Sequence, residues 1–304
     1  MKSTSEQTSG NVQTITSLPK RRVAAALALL AFSAIPSRAS LLRVDIFKNT
    51  VYSQTSGSAP SSPIGYFFNA GGTTNPGDFD SAMVTYPGPG SPQTLTFSDT
   101  TNFGFGSPLI GSLATFNLDY PFGTYTVSAK NSVTMATGSA SMNYSQDAYT
   151  SAVPALTPAT FNGLQGLNPI NGFTINFNPF APNAAANFGK TFFTIFDSTN
   201  SAVFSRGFLD PTTTSVFVPA NTLQANASYH FELDFSDRIE GSSGNVATEQ
   251  GFDLRTDGNF HTGATIATPE PASFTLLLAG LAALAYMRRS RVLAITFWKT
   301  RSIF

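Results

Sequence analysis

The chain contains no cysteine. That excludes a disulfide framework and thiolate metal sites, and leaves the fold to a packed core. Histidine occurs at two positions, His230 and His261, and neither sits in an HExxH or Ser-His-Asp signature. A Gly-x-Ser-x-Gly elbow, a phosphate-binding P-loop and a strand-linked dinucleotide glycine pattern are all missing. The single tryptophan, Trp298, lies close to the C-terminus, and charged residues make up only 11% of the chain. No long stretch has helical spacing apart from two hydrophobic segments near the ends. Basic residues are scarce in between: from Ser40 to Pro271 there are seven, against sixteen acidic ones, a balance of −9. A nucleic-acid partner is excluded, since phosphates need a basic patch.

What the chain has in abundance is phenylalanine, 28 residues, with 24 glycines and 19 prolines. Phe and Thr between frequent Gly, Pro and Asn favour many short strands joined by tight turns. Phe173-Thr174-Ile175-Asn176-Phe177 and Phe231-Glu232-Leu233-Asp234-Phe235 alternate apolar and polar residues, as half-buried strands do. Phe192–Phe196 and Val216–Val218 are further strands. The segments 197–200, 209–211 and Asp257-Gly258-Asn259 read as turns. Earlier in the chain, Ile64–Phe68, Gln93–Phe97 and Tyr120–Val127 read as strands or corners. Gly71-Gly72, Asn75-Pro76-Gly77, Pro87–Gly90 and Gly104-Phe105-Gly106 read as loops. The expected fold class is all-β, with two antiparallel β-sandwich modules: a β-rich one over 40–153 and a second over 160–266. Pro154 and Pro158 mark the boundary.

Leu223 stands six residues before Tyr229, which opens an alternating strand. This spacing resembles the tyrosine corner of immunoglobulin-like and fibronectin type III sandwiches, whose hydroxyl bonds back to the backbone a few residues upstream. The resemblance implies an Ig-like second module. The family's proline is replaced by Ala225. The segment around Tyr125 is a candidate counterpart.

Carboxylates are the abundant reactive groups. Glu232 and Asp234 share one strand face about 7 Å apart. With Asp237 and Glu240 they suggest a cation site or a glycosidase pair, set against the plainer reading of a solvated face. Asp78 and Asp80 beside Gly77 invite a Ca²⁺ reading but lack the remaining ligands of a recognised loop. Tyr66, Phe67, Phe68, Phe103 and Phe105 offer aromatic surface for a sugar ring or, more simply, core. No catalytic residue, metal ligand or cofactor site is assigned.

The ends carry topology. Lys20-Arg21-Arg22, an apolar run from Val23 to Ile35 and small residues at Ser37 and Ala39 make residues 1–39 a secretory signal, cut between Ala39 and Ser40. At the other end, Pro269-Glu270-Pro271 cannot continue a helix or ladder and reads as an exposed stretch. An uncharged run, 272–287, follows. At about 1.5 Å per residue it is slightly short of a bilayer core of about 30 Å. Arg288, Arg289 and Arg291 then hold the cytoplasmic side. In order and composition, 268–291 resembles the PEP-CTERM sorting domain of exosortase substrates. The resemblance implies processing by exosortase, transient residence in the inner membrane and delivery to the surface of a Gram-negative bacterium, in association with extracellular polysaccharide. Such chains usually stop at the arginines, whereas here a tail, 292–304, continues. The expectation is a non-enzymatic surface or matrix protein; the competing readings are a carbohydrate- or Ca²⁺-binding adhesin module and a surface glycoside hydrolase.

Overall fold

In a computed structural model, residues 39–264 and 276–282 are described. The fold is all-β. Thirteen strands run in chain order: β1 (Leu41–Ser53), β2 (Pro63–Thr74), β3 (Ser81–Thr85), β4 (Gln93–Phe97), β5 (Asn102–Gly106), β6 (Gly123–Lys130), β7 (Thr137–Tyr144), β8 (Phe173–Asn176), β9 (Phe188–Asp197), β10 (Ala202–Leu209), β11 (Ser215–Val218), β12 (Ser228–Ser243) and β13 (Val246–His261). Helix α1 (Leu113–Asp119) precedes β6, and α2 (Pro158–Leu164) precedes β8. Both helices escaped the sequence reading because seven residues are too few to show a 3.6-residue period. Each is signalled only by its cap: the Ser112 hydroxyl accepts from the Thr115 N–H, and Thr157 with Pro158 does the same for Thr160.

Eleven strands form one sheet in the order β10-β9-β12-β13-β1-β2-β5-β4-β3-β6-β7, and β11-β8 form a second. Among the described residues, every strand-to-strand pairing is antiparallel except one: β1 and β13 run parallel from Arg43↔Ala247 to Ser53↔Asp257. The long sheet curls over itself. Val44, Ile46 and Phe68 on β1 and β2 pack against Val84, Leu95, Tyr125, Val127 and Tyr144 on the returning strands, making a first core. A second core sits between β9-β12-β13 and the small β8-β11 sheet, filled by Phe193, Ile195, Phe231, Leu233, Phe235, Ile175 and Val218 and closed by Phe161 and Leu164 of α2. Strand β13 serves both: Phe252 lies in the first core and Phe260, on the same face, in the second. The segment near 151–158 threads between them, where the Gln54 side chain exchanges hydrogen bonds with the Leu156 backbone and Thr256 donates to the Pro154 carbonyl.

The alternation expected at 231–235 is present, with Phe231, Leu233 and Phe235 fully buried. Three expected loops are instead strand. Gly71-Gly72 lies inside β2, hydrogen-bonded on both sides to β1 and β5, and 104–106 is the end of β5. Asp257-Gly258-Asn259 is paired along β12 as Glu232↔Asp257, Phe231↔Gly258 and His230↔Asn259. The glycine there is a seat rather than a turn: a Cβ at Gly258 would come within 2.4 Å of the Phe231 ring. The real β12–β13 turn is at 244–245, with Gly244 at φ +62, as a two-residue hairpin demands.

Candidate functional site

Opposite the two cores, the β12-β13-β1 face is polar and carries the charges. Side chains alternate along a strand, so Glu232, Asp234, Ser236 and Arg238 of β12 point there together with Glu249, Asp253, Arg255 and Asp257 of β13 and Arg43, Asp45 and Phe47 of β1. Glu249 is clamped between Arg43 and Arg238, each at 2.5 Å. Arg238 also lies 3.8 Å from Asp253, bonds Ser236, and stacks 4.1 Å over the Phe47 ring. Phe47 in turn lies flat across Gly251, where a Cβ would fall 1.7 Å from the ring. Arg255 forks onto Asp257 at 2.7 and 2.9 Å and reaches Glu232 at 3.0 Å.

Burial dominates the electrostatics of this face. It raises the carboxyl groups of Asp45, Glu232 and Asp253 against the pull of the neighbouring arginines, and lifts Asp234 well above the usual range with help from Asp253 and Glu232. The Glu232–Asp234 pair is therefore neither an open cation cage nor a cleft pair. Glu232 is committed to Arg255, Asp237 points to the opposite, core side of β12, and Glu240 stands exposed towards the hairpin turn. Among the described residues, no group of three or more His, Asp or Glu side chains is arranged to hold a metal ion.

Asp237 has a structural task. Fully buried, it accepts the Asn183 N–H at 3.1 Å, while its other oxygen lacks a hydrogen-bond partner. Burial pushes its pKa from an ordinary 3.8 to about 6. A raised carboxyl means that the folded state holds the proton more tightly than the unfolded chain. Its contribution to stability is therefore full below about pH 4 and is lost as pH rises through 6. Asp237→Asn should remove that loss, raising stability at pH 7 by on the order of 2 kcal/mol and changing little at pH 4. Melting curves of both proteins from pH 4 to 8 test this; a stability difference independent of pH would sink it.

Tyr229 opens β12, and its hydroxyl accepts the Gln224 N–H at 2.7 Å, one residue beyond buried Leu223. Tyr125 makes a comparable closure in the first half, donating to the Pro121 carbonyl at 2.7 Å. Asp78 accepts from the Ser40 N–H at 2.8 Å and from Asn75, and Asp80 accepts from the Ser132 N–H, so both tie loops. Phe68 and Phe103 are buried in the first core, where Phe68 stacks on Tyr120 at 4.3 Å, and Phe67 lies under Arg255. Tyr66 and Phe105 are half-buried and pack against the same core. His261 is the last residue of β13 rather than a post-turn residue, and Ser228 Oγ lies 3.2 Å from its Nδ1.

Sequence reasoning missed a cleft of about 460 Å³ at that end of the sheet, lined by Gln165, Asp197, Tyr229, His230, Asn259 and His261. Its flat wall is the His230 imidazole stacked on Phe196, centroids 4.8 Å apart and planes 7° apart. The alternation of β12 puts His230 outward, but its ring partner comes from β9 through the His230↔Phe196 pairing, which spacing within β12 cannot show. Amide, hydroxyl and ring surface together suit an uncharged polar ligand. Asp197 is already occupied as the turn acceptor for Thr199 and Ser201, whose hydrogen bonds lower its pKa.

Of the C-terminal segment, 276–282 is helical with its leucines exposed, and most of the expected 272–287 helix lies outside the described residues. So do Pro269, Glu270, Pro271, the arginines 288, 289 and 291, and residues 1–38 of the expected 1–39 signal. Among the described residues no helix is long and apolar enough to cross a membrane.

Residues 267–292 match the PEP-CTERM protein-sorting motif. No curated protein matches the chain. Similar solved structures include the BSP domain of a biofilm-associated protein (12% identity, 76% of this chain and 30% of that one, TM-score 0.21). The FN1-FN3 domains of chicken CNTN1 also match (14% identity, 68% and 67%, TM-score 0.23), as do domains from titin (10%, 73% and 67%, TM-score 0.21). The chain spans less than a third of the biofilm-associated chain it matches.

Proposed function

We propose that this chain is an exported, exosortase-processed surface protein with a structural or interaction role rather than an enzymatic one, working in association with extracellular polysaccharide. The observation that carries the reading is the sorting motif at 267–292. Its parts act in physical order. Pro269-Glu270-Pro271 offers the processing site, the apolar run 272–287 holds the chain in the inner membrane, and Arg288, Arg289 and Arg291 fix that run's cytoplasmic end. Signal cleavage between Ala39 and Ser40 would leave the β-sheet body outside. The charge balance of that body supports the reading, since an acidic surface resists aggregation outside the cell.

Replacing Pro269-Glu270-Pro271 by alanines should abolish C-terminal processing and hold the full-length chain in the inner-membrane fraction. The unaltered chain should move to the surface or medium, shortened by the mass of the segment after the motif. Cell fractionation with mass spectrometry of the C-terminus reads both, and recovery of the unaltered chain in the cytoplasm would refute the proposal. A second reading, a carbohydrate-binding module, is favoured by the His230–Phe196 stack. The surface form probed on a glycan array separates the two readings, because sugar binding through that wall must disappear in Phe196→Ala.

A further inference from the structure

The chain enters its sheet at Leu41 and leaves it at His261 on two neighbouring strands that run parallel. In a parallel pair, the start of one strand lies beside the start of the other. The entry is therefore at one end of the seam and the exit at the opposite end, separated by the sixteen residues of β13, roughly 50 Å at strand rise. Tension between the chain ends draws β1 out by its N-terminus and β13 out by its C-terminus. Such a pull runs along the strands and loads the hydrogen bonds of the ladder together, instead of opening them one after another.

The surroundings resist that slide. Both strands are interior: β1 lies between β13 and β2, and β13 between β12 and β1, so neither can leave without shearing two ladders. Glu249 of β13 is held by Arg43 of β1 and Arg238 of β12. The Phe47 ring of β1 rests on the bare backbone of Gly251 in β13, and sliding would drive it into the side chain of the next residue on that face. On the inner side, the Tyr144 hydroxyl donates to the Ile46 carbonyl, pinning β1 to β7. We propose that the β1–β13 seam is a load-bearing clamp, which keeps the protein folded when it is stretched between its two ends. The clamp follows from strand topology and acts whether or not the chain is delivered by its sorting motif.

Because the chain lacks cysteine, introduced cysteines give unique handles in the full-length protein. Ser40→Cys with Ala264→Cys pulls in the shearing direction. Leu42→Cys with Asn245→Cys grips the seam at one end and peels it. At equal pulling speed the first pair should rupture at a force several-fold higher than the second. Glu249→Gln should lower the shearing force. If that variant does not fold, Arg43→Gln, which alters the half-exposed partner, should lower it in the same sense. Equal rupture forces in the two geometries, or a lower force in shear, would overturn the clamp.

Discussion

Arg238→Ala is expected to destabilise the protein by about 3–5 kcal/mol, the cost of leaving buried carboxylates without their partner. The side chain is only 12% exposed and is shared among Glu249, Asp253, Ser236 and the Phe47 ring. Arg43 alone then faces Glu249 and Asp45, and it is half in solvent. The loss should depend on pH. Burial already raises the Asp253 and Asp45 carboxyl groups, and without Arg238 they take up protons more readily, so the deficit at pH 7–8 should shrink towards pH 5. Denaturant titrations at both pH values decide the matter; a deficit below about 1 kcal/mol would mark the pair as a solvent-screened surface bridge.

A second large effect concerns how the halves depend on each other. Expressed without the rest, residues 40–153 should give no cooperative unfolding transition. Their core would lack Phe252, a fully buried ring in contact with Tyr144 and Tyr149, and loss of such a ring alone costs about 3–5 kcal/mol. They would also lose the whole parallel partner of β1, leaving an unpaired edge inside what was a continuous sheet. Circular dichroism and proton NMR of the fragment, alone and mixed with the remainder, read this directly. A dispersed spectrum and a sharp melt from the isolated fragment would show that β13 is dispensable to it.

Much of the strand inventory was legible because the rule behind it is local. Phe231, Leu233 and Phe235 face inward for the reason alternation gives, and Asp197 to Asn200 turns because an aspartate can accept its neighbours' amides. What was hidden is non-local. The parallel seam joins residues about two hundred positions apart, so nothing near Arg43 announces Glu249. Glycine misled for a related reason. In Gly258 it makes room for a ring from another strand, a use that a chain read by itself cannot tell from a turn. The tyrosine corner was readable from spacing because its bond closes within a few residues. The His230–Phe196 wall was not, since it needs the register of β9.

On the proposed cleavage between Ala39 and Ser40, the contact between the Ser40 N–H and Asp78 would change character. In the uncut chain it is an amide bonded to a carboxylate at 2.8 Å. After that proposed cut the same nitrogen would be a terminal ammonium, and the bond a pairing of full opposite charges. The newborn end of the protein would thus find a counter-ion already in place, fastening the first residue of the mature chain to the loop beside β3. Removal of the leader would then act as the last folding step as well as a release.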